Sequence, residues 1–346
     1  MDDPDRAGDV PALEGASLGP DGHTLRVRVR SIVYQADWIN AYEVIDPERK
    51  DLPPFTAGSH IDVYFRDGRV RQYSLCNDPA ERSRYVFAVQ READGRGGSK
   101  AIFELVHVGR ILTISQPRNN FPLRENADFH LLLAGGIGIT PCLAMIHRLV
   151  RIGAAFQLHY CTRGPERTAF KDDLASFAAE RKVVFHYDGG VPAQGLNLQR
   201  LLAERRPGTH LYACGPAGFI AAVRAGAAHW PKSSVHFELF TALPVEAPDG
   251  QAANAPERSD PAFRVKLARS GAVLEVPGDK SIVQVLREHG IEVATSCENG
   301  LCGTCRTRCL EGEPEHRDYV LDDKERSEYV LICCARSRSP LLVLDL

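Results

Sequence analysis

The chain has 346 residues, 44% of them hydrophobic and 25% charged, with a formal net charge of −3. That length allows two or three domains with cores of their own, and the slightly acidic balance excludes a nucleic-acid binder that works through a basic surface. The start, Met1-Asp2-Asp3-Pro4-Asp5, lacks the apolar stretch of a signal peptide, and the uncharged run Leu131–Ile146 is too short and too rich in glycine to span a bilayer. A cytoplasmic protein without a membrane segment is expected.

Residues 1–20 show no periodicity and read as a flexible tail. From Leu25 the chain alternates Leu25, Val27, Val29 with Arg26, Arg28, Arg30, the pattern of a half-buried strand. Further β-like runs cover His60–Phe65, Arg71–Leu75, Tyr85–Gln90 and Arg110–Ser115, broken by turns such as Asp67-Gly68 and by one helical stretch near Lys100–Val106. This predicts a small antiparallel barrel over residues 21–124.

Two segments of that barrel carry chemistry. Arg71-Gln72-Tyr73-Ser74-Leu75 sets Arg71, Tyr73 and Leu75 on one face of a strand. A cation for a phosphate, a ring to stack on isoalloxazine and a hydroxyl for its N5 would serve a flavin. Downstream of Ala88-Val89-Gln90, the turn Gly95-Arg96-Gly97-Gly98-Ser99-Lys100 opens the helical stretch, where backbone N–H groups can meet an anion. The plain alternative is a mobile hairpin loop.

Over residues 125–240 strands and helices alternate. Phe129–Leu133, Phe156–Tyr160, Val183–His186 and Thr209–Ala213 read as strands, with helices at Lys171–Glu180 and Ala217–Ala228. The pattern predicts a parallel sheet that binds ligands at the strand C-termini. Gly135-Gly136-Ile137-Gly138-Ile139-Thr140-Pro141 links a buried strand to a helix and offers a pyrophosphate close approach to the backbone, although it is not the usual Rossmann fingerprint. Cys214-Gly215-Pro216 ends another strand at the same edge and leaves room for a flat ring.

Residues 241–261 are proline-rich and poor in large apolar side chains, as a linker would be. After them Phe263, Val265 and Leu267 alternate, Val273–Val276 returns as a hairpin, and Ser281 caps a helix that stops at Gly290. Cys297, Cys302 and Cys305 then follow in C-x4-C-x2-C spacing, with Cys333 further on. Four thiolates so arranged suit a plant-type [2Fe–2S] cluster, and the gaps suit zinc knuckles poorly. Gly300 and Gly303 let the backbone approach the sulfurs. Cys334, beside Cys333, is an equal candidate on chemistry alone. Cys76, Cys142, Cys161 and Cys309 read as small core residues.

The series RQYSL, GRGGS, LLLAGGIGITP, YACGP, HFELF, CENGLCGTC, CCARS and LVLDL resembles, in order and spacing, the phthalate dioxygenase reductase family and its vanillate demethylase reductase relatives. The resemblance runs from about residue 23 to the C-terminus. It implies an FMN-binding β-barrel, an α/β NAD-binding domain of the ferredoxin-reductase type and, over residues 262–346, a β-grasp ferredoxin. It places Arg71 at the FMN phosphate, Tyr73 on the ring and Ser74 near N5, with Gln72, Ala88, Val89 and Gln90 alongside and Gly97, Gly98 and Ser99 in the phosphate turn. Gly135, Gly136, Gly138 and Thr140 match the nucleotide turn, Cys214, Gly215 and Pro216 the nicotinamide edge, and Phe237 with Glu238 a segment passing near the flavin. The cluster ligands fall on Cys297, Cys302, Cys305 and Cys333, leaving Cys334 an apolar position.

The implied activity passes electrons from NADH through FMN to the [2Fe–2S] cluster and on to a Rieske-type terminal oxygenase, with no catalytic acid, base or nucleophile required. An FAD-dependent reductase for another oxygenase type and a redox-sensing electron carrier are the competing readings. Between Glu311 and Glu328 eight acidic residues stand against three basic ones. That run is either a solvated face or a docking surface for a basic partner.

Overall fold

The computed structural model describes residues 24–65, 69–92, 98–240, 260–295, 298, 300, 303–318 and 321–346. The expected tail, the expected linker up to residue 259, Gly97, Cys297 and Cys302 lie outside the described residues.

Strands β1 (Thr24–Ala36), β2 (Ile39–Ile45), β3 (Ser59–Tyr64), β4 (Val70–Ser74), β5 (Tyr85–Gln90), β6 (Ile111–Ser115) and β7 (Arg118–Asn119), with helix α1 (Gly98–Leu105), form the first unit. Its sheet runs β4-β3-β6-β1-β2-β5, with β7 on β3. A bridge between Leu75 and Phe87 joins the two end strands and closes the sheet into a barrel. Val27, Val29, Tyr42, Ile61, Val63, Leu75, Phe87 and Ile114 fill the interior.

Sequence reading missed β2. Its residues Ile39, Ala41, Tyr42 and Val44 are all buried, because Tyr42 and Val44 point into the barrel while Ile39 and Ala41 face the next unit. A strand buried on both faces shows no alternation to find.

The second unit holds β8 (Phe129–Gly135), α2 (Ile139–Arg151), β9 (Phe156–Thr162), α3 (Ala175–Ala179), β10 (Val183–Tyr187), α4 (Leu198–Leu202), β11 (Thr209–Gly215), α5 (Ala217–Gly226) and β12 (Val235–Leu239). The strands are parallel in the order β10-β9-β8-β11-β12. The chain works outward from β8 through β9 to β10, then crosses back to β11. The switch point therefore lies between β8 and β11, the place where sheets of this class bind ligands, at the strand C-termini. One apolar cluster runs from Ile39, Ala41, Ala57, Ala88 and Phe121 of the barrel into Leu132, Ile139, Cys142, Leu158 and Tyr212 of this sheet.

The third unit comprises β13 (Phe263–Leu267), β14 (Val273–Val276), α6 (Ile282–Glu288), β15 (Arg306–Glu311), β16 (Pro314–Glu315), β17 (Tyr329–Leu331), β18 (Arg336–Ser337) and β19 (Leu341–Leu344). The main sheet is mixed, β14-β13-β19-β15-β17, with β13 and β19 parallel, and β16 pairs with β18 beside it. Ser281 Oγ accepts from Gln284 N–H while Gln284 Oε1 accepts from Ser281 N–H, a reciprocal cap on α6 contributing about 1 kcal/mol. Ile282, Val283, Val285 and Leu286 pack onto Val265, Leu267, Val330 and Leu342 in a core of their own.

Much of the acidic run 311–328 is engaged within the unit. Arg317 pairs with Asp260 and Glu315, Arg306 with Glu325, and Arg326 with Asp318.

Candidate active site and cluster centre

Two motifs read separately from sequence meet in the barrel. Arg71 on β4 lies against Gly98 at the start of α1, so closely that a Cβ at Gly98 would stand 2.2 Å from Arg71 Nε. The guanidinium and the first turn of α1 thus share one spot. Ser99 Oγ accepts from Glu92 N–H at 3.0 Å, tying that turn to the end of β5.

On the same face of β4 as Arg71, the Tyr73 ring stacks on Phe87 at 5.4 Å, and Leu75 is fully buried in the barrel core. Gln72 Nε2 is buried and has no hydrogen-bond partner among the described residues. Ala88 and Val89 are buried on β5, and Gln90 Oε1 comes within 3.9 Å of a Cβ built on Gly136.

In the second unit the two glycine turns touch each other. A Cβ at Gly138 would meet Cys214 O at 2.2 Å, and one at Gly215 would lie 3.0 Å from Gly135 Cα. Gly136 takes φ +54°, which favours glycine. These glycines are what lets the turn after β8 close onto the end of β11 at the switch point. Thr140 Oγ1 donates to Ile137 O at 3.1 Å, so its hydroxyl braces the turn. Pro216, with extended backbone, immediately precedes α5.

Glu238 is the residue of β12 that reaches the barrel. Ser74 Oγ donates to Glu238 Oε2 at 3.2 Å, and Cys214 Sγ lies 3.9 Å from the same oxygen. Loss of water pushes the carboxyl from 4.5 up to about 8, and donation from Ser74 and Cys214 offsets only part of that. Burial first, then the neighbouring Glu238, holds the Cys214 thiol well above its ordinary value, in its neutral form. Phe237, in the segment expected to pass near the flavin, packs with Ile220, Val223 and Trp230 against α5, under Arg224 at 5.8 Å. Successive residues of a strand face opposite ways, so Phe237 and Glu238 cannot both face the barrel. That alternation was available in HFELF but needed the register Cys214–Glu238 to assign the faces.

At the far end of the chain, Cys305 and Cys333 are both buried. Gly300 N–H donates to Cys333 Sγ at 3.3 Å. Donation from the Cys305 and Cys334 thiols, with this N–H in addition, holds the Cys333 thiol well below its usual range. A stabilised thiolate is the form that ligates iron. Gly300 and Gly303 take φ of +71° and +72°, and a Cβ at Gly300 would strike Cys334 Sγ at 2.6 Å. Cys334 Sγ itself is directed to Leu331 O at 3.6 Å. The donor set fits a [2Fe–2S] cluster as far as it is described; Cys297 and Cys302 fall outside.

Residues 265–338 match the family model of the 2Fe-2S iron-sulfur cluster binding domain. Residues 113–235 match that of the N-terminal domain of dimethylamine monooxygenase subunit DmmA-like proteins. The chain is 53% identical over 323 residues to the tert-butanol monooxygenase / tert-amyl alcohol desaturase reductase subunit of Aquincola tertiaricarbonis, covering 93% of this chain and 96% of that one. It is 42% identical to the phthalate dioxygenase reductase of Burkholderia cepacia, over 93% and 97% of the two chains. The solved structure of phthalate dioxygenase reductase, described as modular for electron transfer from pyridine nucleotides to [2Fe–2S], superposes with a TM-score of 0.70 at 41% identity, covering 95% of this chain and 100% of that one. Iron–sulfur domain, nucleotide-type sheet and full-length similarity agree, and the chain belongs to the phthalate dioxygenase reductase family, the electron-transfer subunits of oxygenase systems.

Proposed function

We propose that this reductase draws electrons from NADH onto FMN and delivers them through the [2Fe–2S] cluster to a Rieske-type terminal oxygenase. The observation that carries the reading is the Ser74–Glu238 contact, which pins the flavin strand of the barrel to the nucleotide-facing end of the parallel sheet. Bound FMN supplies the ability to take electrons in pairs and release them singly. Residues 21–124 hold it, residues 125–240 hold the dinucleotide, residues 241–261 connect, and residues 262–346 carry the cluster on Cys297, Cys302, Cys305 and Cys333.

Each side chain then has a positional task. Arg71 and the N–H groups opening α1 neutralise the flavin phosphate, and the ring of Tyr73 backs the isoalloxazine. The turn from Gly135 to Gly138 brings bare backbone to the pyrophosphate, while Gly215 leaves the space a nicotinamide needs. Glu238, protonated at neutral pH, keeps an uncharged carboxyl there, its Oε2 accepting from Ser74 Oγ. Positioning of this kind accounts for most of the rate such a site supplies.

The cofactor set is tested by releasing the flavin with acid and separating it by chromatography; recovery of FAD would overturn the FMN assignment. For the nucleotide, a kcat/KM ratio of about tenfold or more in favour of NADH is expected. Asp188, just after β10, can take a ribose diol and repels a 2′-phosphate, although Arg163, exposed after β9, opposes it. A preference for NADPH would reverse the assignment. A Gly98→Ala substitution should displace Arg71 and weaken FMN retention roughly tenfold, as read by flavin fluorescence on dilution. An unchanged Kd would show that Arg71 does not sit at the phosphate.

A further inference from the structure

β1 and β2 are joined by the two-residue turn Asp37-Trp38, closed by the Ala36–Ile39 pair. Trp38 has φ +65°, a left-handed conformation that a bulky side chain rarely adopts. The residue is 50% exposed. Neither burial nor backbone preference explains a tryptophan at this position, and such outliers concentrate where a ligand is met.

The turn is held between the loop that follows β9 and the residue that follows β5. Asp37 N–H donates to Glu166 O at 2.8 Å, in the loop that follows β9. Phe170 N–H donates to Gln35 Oε1 at 3.2 Å and fixes the same loop to β1. Arg91 N–H donates to Trp38 O at 2.7 Å, and the Arg91 guanidinium lies over the indole at 5.2 Å. The residue before it, Gln90, is the one that approaches Gly136 in the turn after β8. Trp38 therefore stands on the β9 side of the switch point.

Strand order fixes which half of a dinucleotide arrives there. The pyrophosphate belongs at the switch point between β8 and β11. Glu238 and Cys214, which face the barrel strand at Ser74, lie on the β11–β12 side and mark the reacting ring. The other half must then run toward β9. With this reading of NADH as the donor, the geometry points to Trp38 as the platform on which the adenine of NADH stacks. Arg91 covers one side of the indole and strengthens it as a cation over a π face, and a purine can stack on the exposed remainder.

The test uses the full-length holoprotein with ferricyanide as acceptor. Trp38→Gly removes the ring and accepts φ +65° without strain, and Trp38→Phe keeps a smaller stacking face. The probes are NADH, reduced nicotinamide mononucleotide, which lacks the adenosine, and ADP-ribose as a competitive inhibitor. Trp38→Gly should raise the KM for NADH and the Ki for ADP-ribose about tenfold and leave the KM for the mononucleotide within about twofold, while Trp38→Phe stays within about threefold of the parent throughout. An equal rise for both reduced nucleotides, or no rise for NADH, overturns the proposal. So does a variant with normal NADH kinetics that reduces the oxygenase slowly, since the exposed Val33, Tyr34 and Trp38 would then serve protein docking. A parent protein that fails to oxidise NADH would instead remove the donor reading itself.

Discussion

Cys305→Ala is expected to abolish the visible absorbance of the iron–sulfur cluster while NADH continues to bleach the flavin. Cys305 is buried in the C-terminal core beside Cys333, so its loss takes one of the four proposed thiolate ligands. NADH-driven cytochrome c reduction, which draws its electrons from the cluster in the proposed scheme, should fall by about two orders of magnitude or more, whereas ferricyanide reduction taken directly from the flavin is retained. Measured iron content and both acceptor assays on one preparation decide the matter. Loss of flavin reduction together with the cluster would show that the two redox sites are not separable.

Replacing Glu238 with glutamine should remove a titration near pH 8. In the folded protein the carboxyl holds its proton up to about 8, against an ordinary value of 4.5. The native state therefore binds a proton that the unfolded chain releases between those values. The stabilising contribution of this group is complete below pH 4.5 and is lost as the pH rises through about 8. Parent activity should fall over the same upper range as the carboxyl ionises. Glu238→Gln, which keeps an uncharged hydrogen-bonding group of the same shape, should lack that inflection and hold its neutral-pH rate to the top of the range. Stopped-flow flavin reduction from about pH 6 to about pH 9.5, roughly two units around the titration, gives the profile. An inflection near 8 that persists in the variant would assign it to another group.

Much of this architecture was readable from residues alone, for physical reasons that differ by region. β5 was placed at Tyr85–Gln90 and β14 at Val273–Val276, with the observed limits, because each is bounded by turn residues. The cap at Ser281 was legible because a side chain and its partner three residues on carry the whole interaction. The C-terminal strands β15, β17 and β19 went unread. Their pairing links residues far apart, such as Cys309 with Leu344, and local composition does not show it. In the active site, the motif residues Arg71, Gly98, Gly138 and Cys214 were named, yet their contacts with one another were not. Glu238 was noticed only as part of a segment. Its importance depends on which face of β12 it occupies, and that is set by a parallel neighbour rather than by its own surroundings in sequence. Trp38 had no signal at all, since its meaning comes from backbone conformation.

The apolar seam shared by the barrel and the parallel sheet has a consequence for how this chain can be altered. A break introduced near residue 125 would open Ile39, Ala41, Ala57 and Phe121 on one side and Ile139, Cys142 and Tyr212 on the other to water, leaving two sticky halves. A break just ahead of Asp260 uncovers nothing comparable, because the cluster-bearing unit keeps its apolar side chains to itself. Recombination can thus exchange the electron outlet at little cost, while the two pieces that cradle flavin and nucleotide must change in step.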